Sequence, residues 1–144
     1  MNIIEFKQLA TTLSLCAKYY KPDTFQHCLR VASFAVLNKC VTDEERNVVF
    51  QVAMCHDLLE DTNVTVDEIC KATGFAKGFV ENVLGALTKE KSETYVDYIK
   101  RLKKCNSTYP YIVKLADMKD HLTQTETLTD KLKKKYWEAL PYLL

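Results

Sequence analysis

The sequence predicts an all-α fold, a compact helical bundle forming a single domain over residues 1–144. Glycine and proline, which interrupt regular structure, number only 3 each among 144 residues. Apolar residues recur at three- and four-residue spacing along almost the whole chain, which is the period of one helix face. The apolar–polar alternation typical of strands is scarce. A chain of this length suits one domain and leaves little room for a second.

Helical spacing predicts three helices in the first part of the chain. The second begins after Pro22 and carries His27 near its N-terminus. Thr42 followed by Glu45 has the spacing of a capping box and predicts the start of the third, which continues without a break to Leu59. The apolar positions that mark these helices are Ile3, Phe6, Leu9, Leu13 and Ala17, then Phe25, Leu29, Ala32 and Val36, then Val48, Val52 and Leu59.

The remaining chain predicts five more helices. Thr65 and Glu68 repeat the capping pattern and start a short helix that ends near Gly74. The next follows Phe79, and two more cover about 94–104 and 109–122. Leu132, Tyr136, Trp137 and Leu140 mark a final helix with Pro141 near its end. Its lysine-rich run, residues 131–135, is predicted to be a solvated face.

Composition excludes several classes of function. The chain has 20 Lys and Arg against 19 Asp and Glu, and this balance argues against bulk nucleic-acid binding and against a charged membrane surface. No apolar run approaches the ~20 residues that span a bilayer, and the N-terminus lacks a signal pattern. The 6 cysteines include no CxxC pair and are predicted to be buried free thiols. We therefore expect a cytoplasmic protein with no nucleic-acid or membrane partner; the oligomeric state stays open.

One segment concentrates acidic and imidazole groups. If residues 56–61 are helical, His56 stands over Glu60 and Asp57 over Asp61, since positions i and i+4 share a face. The preceding residues 52–54 are apolar and look buried. Buried carboxylates need a partner, and a cation is the obvious one.

Two further residues complete a candidate metal site. His27 and Asp117 each lie at the edge of an apolar helical segment. Together with His56 and Asp57 they offer two imidazoles and two carboxylates, which suit a divalent ion such as Mn²⁺, Fe²⁺ or Zn²⁺, with Mg²⁺ also considered. Periodicity alone leaves the alternative open that each histidine is an ordinary core residue.

The order His27, His56-Asp57 and Asp117 resembles the H…HD…D signature of the HD superfamily of metal-dependent phosphohydrolases. The motif HDxxED at residues 56–61 more closely resembles the hydrolase domain of the RelA/SpoT proteins and the stand-alone small alarmone hydrolases. Segments 87–89, 95–99 and 113–117 resemble further blocks of these proteins. The resemblance covers about residues 25–122.

This resemblance implies an HD-type helical domain that removes the 3′-pyrophosphate from the alarmone ppGpp, the nucleotide of the stringent response. It implies one divalent ion, usually Mn²⁺, bound by four ligands. It also implies that Glu60 and Asp61 position or activate the attacking water. The ligands would be His27, His56, Asp57 and Asp117. Only His121 remains for a second metal, so a mononuclear site is favoured.

Recognition of the nucleotide is less well marked. Lys18, Lys21 and Lys89 are candidates to meet phosphate charge, although a solvent-facing side chain is favoured for each. His121 stands where the family commonly has an asparagine near the nucleotide, and residues 18–27 lack the glycine that the family usually carries there. The candidates to stack on a base, for which core packing is favoured, are Tyr95, Tyr98 and Tyr111.

Two alternatives stay open. The same metal chemistry could act on another small-molecule nucleotide, such as a nucleoside monophosphate, a deoxynucleotide or NADPH. The chain could instead be a non-catalytic HD-fold binding module. That interpretation predicts the loss of a ligand or of the acidic pair, and all six residues are present.

Overall fold

The computed structural model describes residues 2–144, and within them all regular structure is helical, with nine α-helices, one 3₁₀ helix and no strand. The prediction of an all-α fold is confirmed. The helices are α1 (Ile3–Tyr19), α2 (Pro22–Ala35), α3 (Arg46–Cys55), α4 (Leu58–Asp61), α5 (Val66–Thr73), α6 (Lys77–Ala86), α7 (Tyr95–Lys103), α8 (Tyr109–Thr123) and α9 (Asp130–Leu143). The 3₁₀ helix, Asp43–Glu45, precedes α3. Over these same residues, none of the helices has the length and apolar character needed to cross a membrane.

Local chemistry explains where most helices begin and end. The hydroxyls of Thr65, Thr94 and Thr129 accept hydrogen bonds from first-turn backbone N–H groups and cap α5, α7 and α9. Pro22 starts α2, where its missing N–H costs nothing. Gly74 ends α5 with φ 77°, a conformation that glycine adopts without strain. The predicted cap at Thr65 is therefore confirmed.

The prediction of one unbroken third helix is wrong. Thr42 makes no capping hydrogen bond, and the chain forms the 3₁₀ helix, α3 and α4 in succession. The break between α3 and α4 has a visible cause at Ala53. Both the backbone N–H (3.3 Å) and the ring Nδ1 (2.6 Å) of His56 bond to the carbonyl oxygen of Ala53. This carbonyl would otherwise accept from Asp57, so the helix ends and residues 56–57 become a link, here called the α3–α4 link.

The packing of α2 brings the distant segments together. It packs against α3 on one side and α8 on the other, while α1 packs on α3 and α5, and α7 on α9. Fully buried side chains such as Val31, Val52, Met54 and Met118 fill the space between these helices. Consequently His27 on α2, the α3–α4 link and Asp117 on α8 meet at one place.

The cysteines follow the prediction only in part. Cys16, Cys28 and Cys55 are fully buried free thiols, as expected of small apolar side chains. Cys70 and Cys105 are only half-buried, and Cys40 is exposed because it lies in the loop after α2 rather than on a helix.

Candidate metal centre

A pocket of about 370 Å³ opens where α2, the α3–α4 link and α8 meet. All three histidines of the chain, His27, His56 and His121, line it. Three segments far apart in sequence, two helices and the α3–α4 link, thus bring every imidazole of the protein to one cavity.

In two of the imidazoles, those of His27 and His56, the ring nitrogen Nδ1 is held by a hydrogen bond. His56 donates from Nδ1 to the carbonyl oxygen of Ala53, since a carbonyl can only accept. His27 places its Nδ1 2.6 Å from Oδ2 of Asp120. Both rings therefore direct Nε2 into the pocket, where the nearest groups are carboxylates.

Asp117 and Asp57 are those carboxylates. Oδ1 of Asp117 lies 2.9 Å from Nε2 of His27 and 3.3 Å from Nε2 of His56. Oδ2 of Asp57 lies 3.3 Å from Nε2 of His56 and 3.7 Å from that of His27. The second oxygen of Asp117 accepts a 2.7 Å hydrogen bond from the buried ammonium of Lys114.

Titration of the cluster follows from these contacts. Burial opposes charge on His27, but its hydrogen bond to Asp117 and the charge of that carboxylate outweigh burial and raise the pKa of the imidazole. Burial likewise opposes charge on His56, and there Asp57 and Asp117 raise the pKa well above its usual value. Against the penalty of burial, Lys114 and the three histidines hold the pKa of Asp117 well below its usual range. The pocket therefore favours an ionised Asp117 facing positive charge.

The donor set fits a divalent metal ion. Two overlapping groups, His27–His56–Asp57 and His27–Asp117–His121, each offer ligand atoms within 4.8 Å of one another. Ligand atoms about 2.1 Å from one ion lie about 3 Å apart on adjacent octahedral positions, close to the separations of 2.9–3.7 Å seen here. Imidazole nitrogen with carboxylate oxygen suits Mn²⁺, Fe²⁺ and Zn²⁺.

The acidic pair predicted for catalysis lies beside this cluster. Glu60 and Asp61 form the end of α4 and line the same pocket, both with exposed side chains. Oε2 of Glu60 accepts a 3.2 Å hydrogen bond from the backbone N–H of Lys89. Partial burial, followed by the negative charges of Asp57 and Glu60, raises the pKa of Asp61. A carboxylate of raised basicity next to a metal site is suited to accept a proton.

The predicted substrate contacts divide into two groups. Lys89 and His121 line the pocket, and Nε2 of His121 lies 3.2 Å from Oδ1 of Asp117. Lys18 lies on α1 and lines a separate surface pocket with Glu68, and Lys21, just before α2, is exposed and does not line the metal pocket. The structure thus brings two of the four candidates to the site and leaves the other two outside it.

The tyrosines behave differently from one another. Tyr95 and Tyr98 line the pocket, but Tyr98 is buried and its hydroxyl donates to the carbonyl oxygen of Leu87. His121 stacks on Tyr136, with ring centroids 5.0 Å apart and planes 8° from parallel. Tyr111 is not part of the pocket and packs under Lys103.

Sequence reasoning missed several residues of the site. Lys114 lies three residues before Asp117 on α8, and Asp120 three residues after it, so one-turn spacing from a suspected ligand was an available signal. Arg30 has the same spacing from His27 and binds Asp120. Lys135 belongs to the run predicted to be a solvated face, yet it lines the pocket with its ammonium 4.4 Å from the ring centre of Tyr95.

Comparison with known proteins finds a relative that is named as a hydrolase. The chain is 30% identical over 104 residues to the guanosine-3′,5′-bis(diphosphate) 3′-pyrophosphohydrolase MESH1 of Drosophila melanogaster. The matched region covers 72% of this chain and 56% of the relative, so the chain spans about half the length of the relative it matches. No protein-family model matches the chain.

Proposed function

We propose that this chain is a metal-dependent phosphohydrolase that removes the 3′-pyrophosphate of ppGpp and related alarmones, with residues 1–144 acting as one hydrolase domain. The observation that carries the proposal is the meeting of two Nε2 atoms and two carboxylates in one pocket that Glu60 and Asp61 also line. The name of the Drosophila relative, a 3′-pyrophosphohydrolase of guanosine-3′,5′-bis(diphosphate), supports the choice of substrate.

In this proposal His27, His56, Asp57 and Asp117 would hold one divalent ion, for which we propose Mn²⁺. When bound, such an ion supplies charge that offsets the phosphoryl oxygens and lowers the pKa of a water molecule. Partial burial, followed by the negative charges of Asp57 and Glu60, raises the pKa of Asp61 and suits this carboxylate to accept a proton. Asp61 would accept the proton of the attacking water, while Glu60, held by the backbone of Lys89, would orient that water.

The bond changes balance as a hydrolysis. The water oxygen bonds to the phosphorus attached to O3′, the P–O3′ bond breaks, and O3′ takes a proton. The products are GDP and pyrophosphate. Lys89 and Lys135 line the pocket and would meet the remaining phosphate charge as cations.

A second candidate keeps this chemistry and changes the nucleotide. It is favoured because Lys18 and Lys21, two of the four residues predicted to bind the nucleotide, lie outside the pocket, while His121 brings an imidazole into it. The substrate would then be a nucleoside monophosphate, a deoxynucleotide or NADPH.

A substrate panel tests the proposal. Purified protein with Mn²⁺ is expected to convert ppGpp to GDP and pyrophosphate, and EDTA is expected to abolish the reaction. The panel also contains nucleoside monophosphates, deoxynucleotides and NADPH. Orthophosphate release from one of these, with ppGpp left intact, would favour the second candidate. Bound metal without hydrolysis of any member would indicate a binding module.

A further inference from the structure

A buried carboxylate outside the proposed ligand set holds one of the imidazoles. The side chain of Asp120 is 1% exposed and lies one turn beyond Asp117 on α8. Its Oδ2 lies 2.6 Å from Nδ1 of His27. Asp120 also accepts two hydrogen bonds from Arg30, from Nε to Oδ1 at 2.7 Å and from Nη2 to Oδ2 at 3.1 Å. A guanidinium and an imidazole thus satisfy both of its oxygens.

These contacts determine where His27 carries its proton. A carboxylate bonded to a guanidinium only accepts hydrogen bonds, so the short contact requires the hydrogen on Nδ1 of His27. A neutral imidazole has one N–H, and its other nitrogen then presents a lone pair. For His27 that nitrogen is Nε2, which faces Asp117 and Asp57 in the pocket. Metals bind this form of the ring.

His27 and His56 are anchored by different kinds of group. His56 donates to a backbone carbonyl, that of Ala53, which no side-chain substitution removes. The orientation of His27 depends instead on one side chain, Asp120, which Arg30 clamps from the same helix as His27.

We propose that Asp120, held by Arg30, is a positioning residue that fixes the Nδ1–H tautomer and the orientation of His27, so that Nε2 is free to bind metal. The proposal rests on the metal site of the proposed function. Hydrogen-bond partners of metal-bound histidines typically change metal affinity about 10–100-fold when mutated.

The variant Asp120→Asn tests the tautomer directly. The amide preserves the shape of the side chain, but it can donate as well as accept and so permits either tautomer of His27. Long-range ¹⁵N–¹H spectra of the metal-free protein, recorded at alkaline pH where the imidazole is neutral, report the tautomer, and a chain with 3 histidines is simple to assign. We expect the Nδ1–H form in the wild type and a substantial Nε2–H fraction in the variant.

Metal affinity gives a second readout. In competition with a chromophoric chelator, Asp120→Asn is expected to bind Mn²⁺ about 10–100-fold more weakly than the wild type. Arg30→Met should weaken binding to a smaller extent. Because Arg30 is partly exposed, Arg30→Met should still fold, and it can be used for the test if Asp120→Asn does not fold. Glu93→Gln is the matched control, since Glu93 also pairs with an arginine through two hydrogen bonds, from Arg101, but contacts no histidine.

The outcomes separate the two proposals. Wild-type affinity and an unchanged His27 tautomer in Asp120→Asn would overturn the positioning role, even if thermal stability falls. An equal loss of affinity in Glu93→Gln would also overturn it. If the wild type itself binds no metal, the proposed function fails, while the tautomer of His27 still decides the role of Asp120.

Discussion

Oδ1 of Asp117 is the point on which the imidazoles converge. It lies 2.9 Å from Nε2 of His27, 3.3 Å from that of His56 and 3.2 Å from that of His121. Each contact is favourable only if a proton or another cation separates two lone pairs. Protons and a divalent ion therefore compete for the same atoms, and acidification should release a bound metal.

Removal of one proposed ligand is expected to empty the site. We expect about one ion per chain in the wild type and almost none in His56→Ala or Asp57→Ala, because the remaining donors form an incomplete shell. Elemental analysis of protein dialysed against metal-free buffer measures this. Asp43→Asn, which removes an exposed carboxylate paired with Arg46, is the control and should retain its metal. Unchanged metal content in both ligand variants would refute the assignment.

Glu60 and Asp61 should affect turnover more than metal binding. Glu60→Gln and Asp61→Asn preserve shape but remove basicity, so we expect kcat to fall about 10²–10⁴-fold. The Michaelis constant should change less, because the lost interaction belongs mainly to the transition state. Steady-state kinetics and metal analysis on the same preparations check this, with the exposed Asp67→Asn on α5 as control. Full activity in both variants would exclude the catalytic role. Loss of metal together with activity would mean that the substituted residue is itself a metal ligand.

At the scale of helices, periodicity predicts which segments are helical but not where they bend. The stretch from Val48 to Leu59 was correctly predicted as largely helical. The break at the α3–α4 link depends on one contact, the bond from Nδ1 of His56 to Ala53. Such a contact requires a particular side-chain rotamer, and apolar spacing contains no information about it. The lysines of α9 are exposed as predicted, but the sequence did not indicate that Lys135 lines the pocket, because this depends on the packing of α9 on α7 and α8.

The ion pair between Glu93 and Arg101 should support the loop that carries Lys89. The guanidinium of Arg101 binds Glu93 and also the carbonyl oxygens of Ala86 and Thr88, so it ties α7 to the chain that follows α6. Glu93→Gln is expected to lower the free energy of unfolding by about 1 kcal/mol at neutral pH, a value typical of a partly exposed pair.

The pH dependence of this effect has a definite sign. The hydrogen bond from Arg101 lowers the pKa of Glu93 in the folded protein. The stabilisation is therefore complete above the unfolded value of about 4.3 and is lost as pH falls through the lower folded value. The free energies of unfolding of wild type and Glu93→Gln, measured by urea denaturation, should become equal at acid pH. A difference in free energy of unfolding that is the same at every pH would show that the charge of Glu93 does not cause the stabilisation.

For the whole molecule, the sequence was sufficient for the helical architecture and for the proximity of His27, His56, Asp57 and Asp117, since all four line one pocket. It was not sufficient to predict the side chains that hold the proposed ligands in place. Arg30 and Asp120 are 90 residues apart, and nothing in helical spacing pairs them. Lys18 was expected near the nucleotide, but α1 packs on α3 and α5, which places this lysine beside Glu68 instead. Pairing between helices is set by tertiary packing, which one sequence without structure does not reveal.

A bound metal should stabilise the entire fold, because its proposed ligands come from α2, the α3–α4 link and α8 and would be held together by one ion. A ligand that binds only the folded state at about 100 times its dissociation constant contributes about 2.7 kcal/mol. For a chain of 144 residues this corresponds to a shift in Tm on the order of 5–10 °C. We therefore expect EDTA to lower the Tm of Mn²⁺-loaded wild type by that amount in calorimetry. His56→Ala, which lacks one ligand, should show almost no response to EDTA, and this controls for effects of the chelator on the protein itself. Equal shifts in both proteins, or none in the wild type, would mean that no ion joins these three segments.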